Sequence, residues 1–273
     1  MDAEAEAHRR EQYDAPANWK AALEYRAIAE RAQLSALRPV LKHLPHGDGH
    51  PVVVLPGFTA SDRSTLPLRN VLKDLDYRVY GWGSGVNIGP TPAILNGLVK
   101  RLDRAYQRGG RPVSLIGWSL GGIYARELAR AYPDRVRQVI TLGSPIQMTG
   151  ADRSGASRMW EAMRRYHSPS FVRNERDARK PRLRMPSTSI YSRTDGVVSW
   201  QASLIERTSI SENIRVFGSH CGLGYNASVI VAIADRLAQD EGSWTPFRAP
   251  WYLRGAFLPA DDLDITRLPV DAA

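Results

Sequence analysis

The sequence is poor in cysteine and contains no long hydrophobic run. Cys221 is the one cysteine among 273 residues, which excludes an intrachain disulfide and a metal site built from cysteines. No apolar stretch approaches the roughly 20 residues that a membrane-spanning helix needs. The first residues, MDAEAEAHRREQYD, are charged and lack the apolar core of a secretory signal. We therefore expect a cytoplasmic protein.

Lysine is also scarce, since only five of the 37 basic residues are lysine, and the net charge is +9. Residues 151–186 carry ten basic and four acidic side chains, a net of +6. Because the excess is concentrated there, and no basic ladder interleaved with aromatics runs along the rest, we expect no nucleic-acid partner. Peripheral contact of residues 151–186 with a membrane or anionic lipid remains open. A solvated surface with incidental arginines is the simpler interpretation.

Short apolar runs alternate with helical patterns along most of the chain. Residues 51–55 (PVVVL) and 112–116 (PVSLI) are apolar without alternation, as in strands buried on both faces of a parallel sheet. Further strands are predicted at 77–81, 136–142, 186–191 and 214–217. Helices are predicted within 16–44 and at 65–75, 92–107, 120–131 and 226–239. This order predicts an α/β fold, with a mostly parallel central sheet and helices on both faces.

The same patterns divide the chain into segments. Residues 1–50 form an N-terminal helical extension, and 51–240 form the α/β domain. Within that domain, residues 145–186 lack an apolar strand and are predicted to be an inserted, mobile helical lid. Residues 241–273 are rich in aromatics and proline, and we expect an irregular tail without a regular element.

The sequence Gly117-Trp118-Ser119-Leu120-Gly121 lies between the strand 112–116 and the helix 120–131. A serine on a sharp strand-to-helix turn projects its hydroxyl beyond the sheet, as a nucleophile elbow requires. The bare five-residue pattern is weakly specific, and the strand before it and the helix after it strengthen the prediction. Ser119 is therefore the predicted nucleophile.

A serine hydroxyl needs a general base, and the imidazole of that base needs a carboxylate partner. His220 follows the last predicted strand in a glycine-rich loop, and Asp195 follows the strand 186–191. Both therefore lie at the sheet edge that carries Ser119. Asp195 could instead form a simple Asp-Gly turn, and Glu206 is the alternative acid. The predicted order of Ser119, Asp195 and His220 is that of the α/β-hydrolases.

Two backbone donors are predicted to form the oxyanion hole. The first is the amide of Leu120, directly after the nucleophile. The second is the amide of Phe58, in the loop Leu55-Pro56-Gly57-Phe58 that follows the first buried strand. An ordinary Pro-Gly turn is an equally acceptable interpretation of that loop.

A cluster of histidines at positions 43, 46 and 50 precedes the first buried strand. It lies among glycine and proline, with Asp48 as its single carboxylate. A solvated loop explains this composition more simply than a metal site does. We predict no metal.

The chain resembles the esterase/lipase-like branch of the α/β-hydrolases. The resemblance rests on a strand-Pro-Gly-Phe segment, GWSLGG at 117–122, TDG at 194–196 and the SH-GLG loop at 219–224. It covers roughly residues 51–237. It implies an eight-stranded, mostly parallel sheet with the lid inserted after the sixth strand.

The predicted function is hydrolysis of a small-molecule or lipid carboxylic ester through an acyl-enzyme, with no cofactor. The same three side chains would serve an acyltransferase or a thioesterase. A non-catalytic binding protein that retains the fold is a further alternative, which the filled nucleophile, acid and base positions disfavour.

Overall fold

A computed structural model describes residues 13–150, 152–169, 171, 176–264 and 268. Residues 1–12, part of the insertion and most of the last nine residues lie outside this description. The strands are, in chain order, β1 (Pro51–Leu55), β2 (Arg78–Gly81), β3 (Val113–Trp118), β4 (Val136–Leu142), β5 (Ser187–Tyr191), β6 (Ser211–Val216) and β7 (Phe257–Leu258).

The described residues form a seven-stranded sheet in the order β2-β1-β3-β4-β5-β6-β7. The first six strands are parallel, and β7 pairs antiparallel with β6. The carboxyl ends of the six parallel strands consequently lie at one edge. The predicted α/β-hydrolase fold with a mostly parallel sheet is confirmed.

The helices cover both faces of the sheet. They are α1 (Asn18–Ala22), α2 (Arg26–Leu41), α3 (Asp62–Asp74), α4 (Pro92–Gly109), α5 (Leu120–Ala131), α6 (Ser157–Met163) and α7 (Ala227–Ala238). A 3-10 turn, Leu23–Tyr25, joins α1 to α2. Successive side chains of a strand point to opposite faces, so β1 supplies both cores. Val52 and Val54 pack with α2, α3 and α7, whereas Val53 and Leu55 pack with α4 and α5.

Expectations about the number of strands, the position of the insertion and the C-terminal tail are wrong. The family resemblance implied eight strands and an insertion after the sixth, but the described residues contribute seven strands and the insertion follows β4. The C-terminal tail was expected to contain no regular element. It forms a 3-10 helix, Trp251–Ala256, and then β7. The side chains of Phe247, Leu253 and Phe257 pack against the core, which brings this segment to the exposed edge of β6.

The histidine cluster before β1 is divided between surface and interior. His46 pairs with Asp76 on the surface. The His50 ring is buried, with Nδ1 bonded to Asp48 and Nε2 at 2.8 Å from the Ser114 hydroxyl. Burial lowers the pKa of His50 to about 4 against the effect of Asp48, so this ring is neutral at pH 7 and links the start of β1 to β3. Within the described part of the chain, no helix is long and apolar enough to span a membrane.

Candidate active site

Ser119 occupies the turn between β3 and α5. Its backbone has φ 53° and ψ −122°, a conformation that costs a non-glycine residue about 1–3 kcal/mol. The turn is held by the Ser119 amide, which donates to the carbonyl of Leu142 at 2.8 Å. A side chain at Gly121 would come within 2.3 Å of the Leu55 carbonyl oxygen. The glycine therefore lets α5 start directly against β1, and this packing holds the strained serine in place.

The side chains of Ser119, His220 and Asp195 form one hydrogen-bonded chain. The Nε2 atom of His220 lies 3.0 Å from Ser119 Oγ, and its Nδ1 atom lies 2.6 Å from Asp195 Oδ2. Asp195 is 3% exposed and His220 is 5% exposed. The structure thus brings together three side chains that the sequence separates by as many as 101 positions.

The end of β4 leaves the space in which this chain forms. β4 lies between β3, which carries Ser119, and β5, which carries Asp195. Gly143, the residue after β4, has φ 51°. A Cβ at this position would lie 3.1 Å from Asp195 Oδ2 and 3.2 Å from His220 Nδ1. A larger residue would push the acid and the base away from the serine.

The backbone holds the second carboxylate oxygen of Asp195. Its Oδ1 atom accepts backbone hydrogen bonds from Val197 at 2.8 Å and Val198 at 2.7 Å. These donors orient the carboxylate so that Oδ2 faces the imidazole. A carboxylate partner on Nδ1 keeps the proton there and leaves Nε2 free to accept from the serine hydroxyl.

The electrostatics of the site favour a charged imidazole. Burial of the His220 ring alone would lower its pKa, but the charge and hydrogen bond of Asp195 outweigh burial, and the charge of Glu24 acts in the same direction. The net effect is a pKa above the ordinary value. A raised pKa stabilises the imidazolium that forms when histidine takes the serine proton.

The loop after β1 passes close to Ser119. A Cβ at Gly57 would lie 3.1 Å from the Ser119 Cβ. The amide of Phe58 has no hydrogen-bond acceptor among the described residues. Leu120 is the first residue of α5, so its amide has no acceptor one turn earlier within that helix. Both predicted oxyanion donors therefore belong to backbone segments beside the serine.

Asn87 holds the Phe58 loop. Its side chain donates to the carbonyl of Pro56 at 3.0 Å, its backbone carbonyl accepts from the amide of Thr59 at 2.7 Å, and its backbone amide donates to the carbonyl of Ala60 at 2.8 Å. The residue is fully buried. It lies in a glycine-rich stretch of the sequence, so no periodic pattern marked Asn87 in advance.

Trp118, directly before the nucleophile, supports the histidine loop. Its indole N–H donates to the carbonyl of His220 at 3.0 Å, and its ring packs edge-on against Tyr225 at 5.5 Å between centroids. The structure shows that it packs under the base.

A cleft of about 560 Å³ opens above Ser119. Its walls come from the loop after β1, the start of α5, the insertion and the loop after β5. The larger apolar residues of the lining are Phe58, Leu120, Pro145, Met148, Trp160, Phe171, Val197 and Val198. Trp160 of α6 packs edge-on against Phe58 with 5.5 Å between ring centroids. Phe58 and Trp160 therefore form an apolar patch within a wall that also contains polar side chains such as Glu161 and His167.

Buried ion pairs hold both ends of the insertion. Near its start, Asp152 pairs with Arg176 at 2.9 Å. Near its end, Asp177 accepts from Arg126 and Arg130 of α5 at 2.6 Å each. Removing one partner of a buried pair is strongly destabilising because the other charge stays buried and unpaired. These pairs fix both ends of the insertion, and α6 lies between them.

Comparison with known proteins agrees with this architecture. Residues 50–177 match the family model described as the alpha/beta hydrolase fold. Aspergillus fumigatus lipase B is 16% identical, with a TM-score of 0.57 over 73% of this chain, and the match spans only 55% of that lipase. Bacillus licheniformis lipase BlEst2 is 17% identical, with a TM-score of 0.51 over 72% of this chain and 95% of that chain. No curated protein sequence matches the chain.

The choice of acid can be tested with two isosteric substitutions. We expect Asp195→Asn to lower kcat for a p-nitrophenyl ester by about 10³-fold or more, because the amide disturbs the tautomer of His220. Glu206→Gln should stay within about twofold of the parent, since Glu206 pairs with Arg182 and is not bonded to the imidazole. The opposite ranking in steady-state kinetics would transfer the role to Glu206.

Proposed function

We propose that this chain, which belongs to the α/β-hydrolase superfamily, is a serine hydrolase that cleaves carboxylic esters through an acyl-enzyme. The observation that carries the proposal is the continuous hydrogen-bonded chain from Ser119 through His220 to Asp195, at 3.0 and 2.6 Å. Its base and its acid are buried, while the serine opens into the cleft of about 560 Å³. This is the geometry that an activated serine nucleophile requires.

In the first half of the proposed reaction, Ser119 Oγ attacks the ester carbonyl as His220 Nε2 takes its proton. The charge on the imidazolium is balanced by the carboxylate of Asp195. The amides of Leu120 and Phe58 donate to the carbonyl oxygen as it becomes an oxyanion. His220 then gives the proton to the leaving alcohol, and the acyl group remains on the serine.

In the second half, a water molecule takes the place of the alcohol. His220 removes a proton from this water, which attacks the acyl carbonyl, and the same two amides hold the second oxyanion. Collapse returns the proton to Ser119 Oγ and releases the carboxylic acid. Acceptance of an alcohol instead of water would give the acyltransferase reaction with the same residues.

The lining of the cleft favours an ester with an apolar acyl group. Phe58, Met148 and Trp160 line the space beside the serine. Burial of apolar substrate surface against such walls contributes about 25 cal/mol per Å². We therefore propose aliphatic esters as the substrate class.

The proposed nucleophile and base are tested by Ser119→Ala and His220→Ala. Each variant should lower the rate of p-nitrophenyl ester hydrolysis by at least about 10⁴-fold, with an unchanged circular dichroism spectrum and melting temperature. Near-normal turnover by a folded variant of either residue would remove that residue from the mechanism.

The proposed acyl wall is tested by Trp160→Ala. Loss of the indole ring should raise KM several-fold for long-chain p-nitrophenyl esters and leave the acetate almost unchanged, because a long acyl chain buries more apolar surface against the wall than an acetyl group does. Met159→Ala, at the neighbouring position that is 48% exposed, is the matched control. Equal effects of Trp160→Ala on acetate and on long-chain esters would contradict this placement of the acyl chain.

We also propose that the arginine-rich insertion contacts anionic lipid. Arg158 and Arg165 are exposed, and they lie next in sequence to Met159 and Tyr166, which are also exposed. The double variant Arg158→Gln, Arg165→Gln should bind less to phosphatidylglycerol vesicles, with binding to phosphatidylcholine vesicles unaffected.

The matched control for this double variant is Arg63→Gln with Arg104→Gln, which removes the same charge from exposed positions on α3 and α4. Its binding to phosphatidylglycerol vesicles should equal that of the parent. An equal loss of phosphatidylglycerol binding in both double variants, measured by co-sedimentation, would contradict a specific role for the insertion.

A further inference from the structure

The N-terminal segment from α1 to α2 lies against the two loops that carry the acid and the base. The family match begins at residue 50, so this segment lies outside it. Lys20 Nζ donates to the carbonyl of Arg193 at 2.9 Å, and Arg26 Nη2 donates to the carbonyl of Thr194 at 3.2 Å. These acceptors belong to the two residues before Asp195 in the chain.

Glu24 joins the acid loop to the base loop through a single carboxylate. Its Oε1 atom accepts from the amide of Gly196 at 2.8 Å and from the amide of His220 at 2.9 Å. Its Oε2 atom accepts from the amide of Cys221 at 2.8 Å. Gly196 follows Asp195 and Cys221 follows His220, so this carboxylate fixes the backbone on which both side chains are mounted.

Glu30, further along the same segment on α2, holds the start of the base loop. Its Oε1 atom accepts from the amide of Ser219 at 3.1 Å and from Asn226 Nδ2 at 3.3 Å. Its Oε2 atom accepts from the Ser219 hydroxyl. Asn226 in turn caps α7 through the amides of Ser228 and Val229. The base loop is therefore held at Ser219, at His220 and at Asn226.

We propose that Glu24 and Glu30 are positioning residues of the active site, and that the N-terminal segment completes the site by holding Asp195 and His220 in register with Ser119. This inference rests on the proposed hydrolase function. Neither glutamate is bonded to the serine hydroxyl, so each acts through the loops. Displacement of a reacting group by about 1 Å can lower a rate by about 100-fold, which gives such backbone contacts a direct kinetic consequence.

The two glutamates differ in their electrostatic effect on the base. The charged groups that act on His220 are Asp195 from the loop after β5 and Glu24 from the N-terminal segment. The charge of Glu24 raises the pKa of the imidazole together with Asp195, against burial. Glu30 contacts the loop one residue earlier, at Ser219. Only the loss of Glu24 should therefore change the pH at which the base becomes charged.

The test compares Glu24→Gln, Glu24→Ala and Glu30→Gln with the parent by p-nitrophenyl ester kinetics over a range of pH. The glutamine substitution keeps one acceptor oxygen but loses the charge, whereas alanine loses both. We expect kcat to fall about 10-fold in Glu24→Gln and further in Glu24→Ala, with KM almost unchanged because neither residue touches the substrate. A lower pKa of His220 should move the acid limb of kcat/KM to lower pH in both Glu24 variants. Glu30→Gln should lower kcat without moving that limb.

Arg38→Gln is the matched control on α2. Arg38 forms an exposed ion pair with Asp74 of α3 at 2.7 Å and faces neither loop, so it docks the same helix without contacting the acid or the base. Its kcat and pH profile should equal those of the parent. Glu24→Gln preserves the size of the side chain, so it decides the question if the alanine variant does not fold.

If Glu24→Gln has the kcat of the parent and the acid limb of its kcat/KM profile does not move, the positioning role of Glu24 is overturned, provided that Ser119→Ala is inactive in the same assay. Loss of kcat in Arg38→Gln equal to that in Glu24→Gln would overturn it as well, since the effect would then come from helix docking alone. An active Ser119→Ala would instead refute the proposed function, whatever the Glu24 variants do. The two failures are therefore distinguishable.

Discussion

The hydrogen bond between His220 Nε2 and Ser119 Oγ is the interaction on which the proposed chemistry of this molecule depends. It exists because six parallel strands deliver their carboxyl ends to one edge of the sheet. β3, β5 and β6 end in the serine, acid and base loops in turn. The strand between the first two, β4, ends in a glycine that leaves room for the Asp195–His220 pair. Topology therefore brings the groups together, and local packing sets their distances.

The features that sequence alone predicts are those with a local pattern. Unbroken apolar runs such as residues 51–55 identify buried strands, and Ser119, Asp195 and His220 each lie in the segment that follows a predicted strand. The roles of Glu24, Glu30 and Asn87 could not be predicted in this way. The carboxylate of Glu24 meets an amide 196 positions away, and nothing near it in the sequence differs from an ordinary exposed helix. β7 was missed for a similar reason, since two residues are too few to show alternation and the pairing with β6 defines the strand.

Charge has two distinct uses in this chain. Inside the fold, ion pairs such as Arg126–Asp177 and Arg176–Asp152 are buried and tie the insertion to the domain. Outside, Arg158 and Arg165 stand on the exposed side of the insertion. The concentration of arginine in residues 151–186 therefore combines anchoring residues with surface residues. An inserted segment held at both ends can form a stable wall of the cleft while its middle remains open to solvent or to a lipid surface.

The most direct test of the central claim is peptide mapping after inactivation by a fluorophosphonate, which phosphonylates an activated serine. We expect a single adduct, on Ser119, that forms in parallel with the loss of ester hydrolysis. In His220→Ala, this adduct should form much more slowly. An adduct on a different residue that tracks the loss of activity, or full labelling of Ser119 without His220, would contradict the central claim.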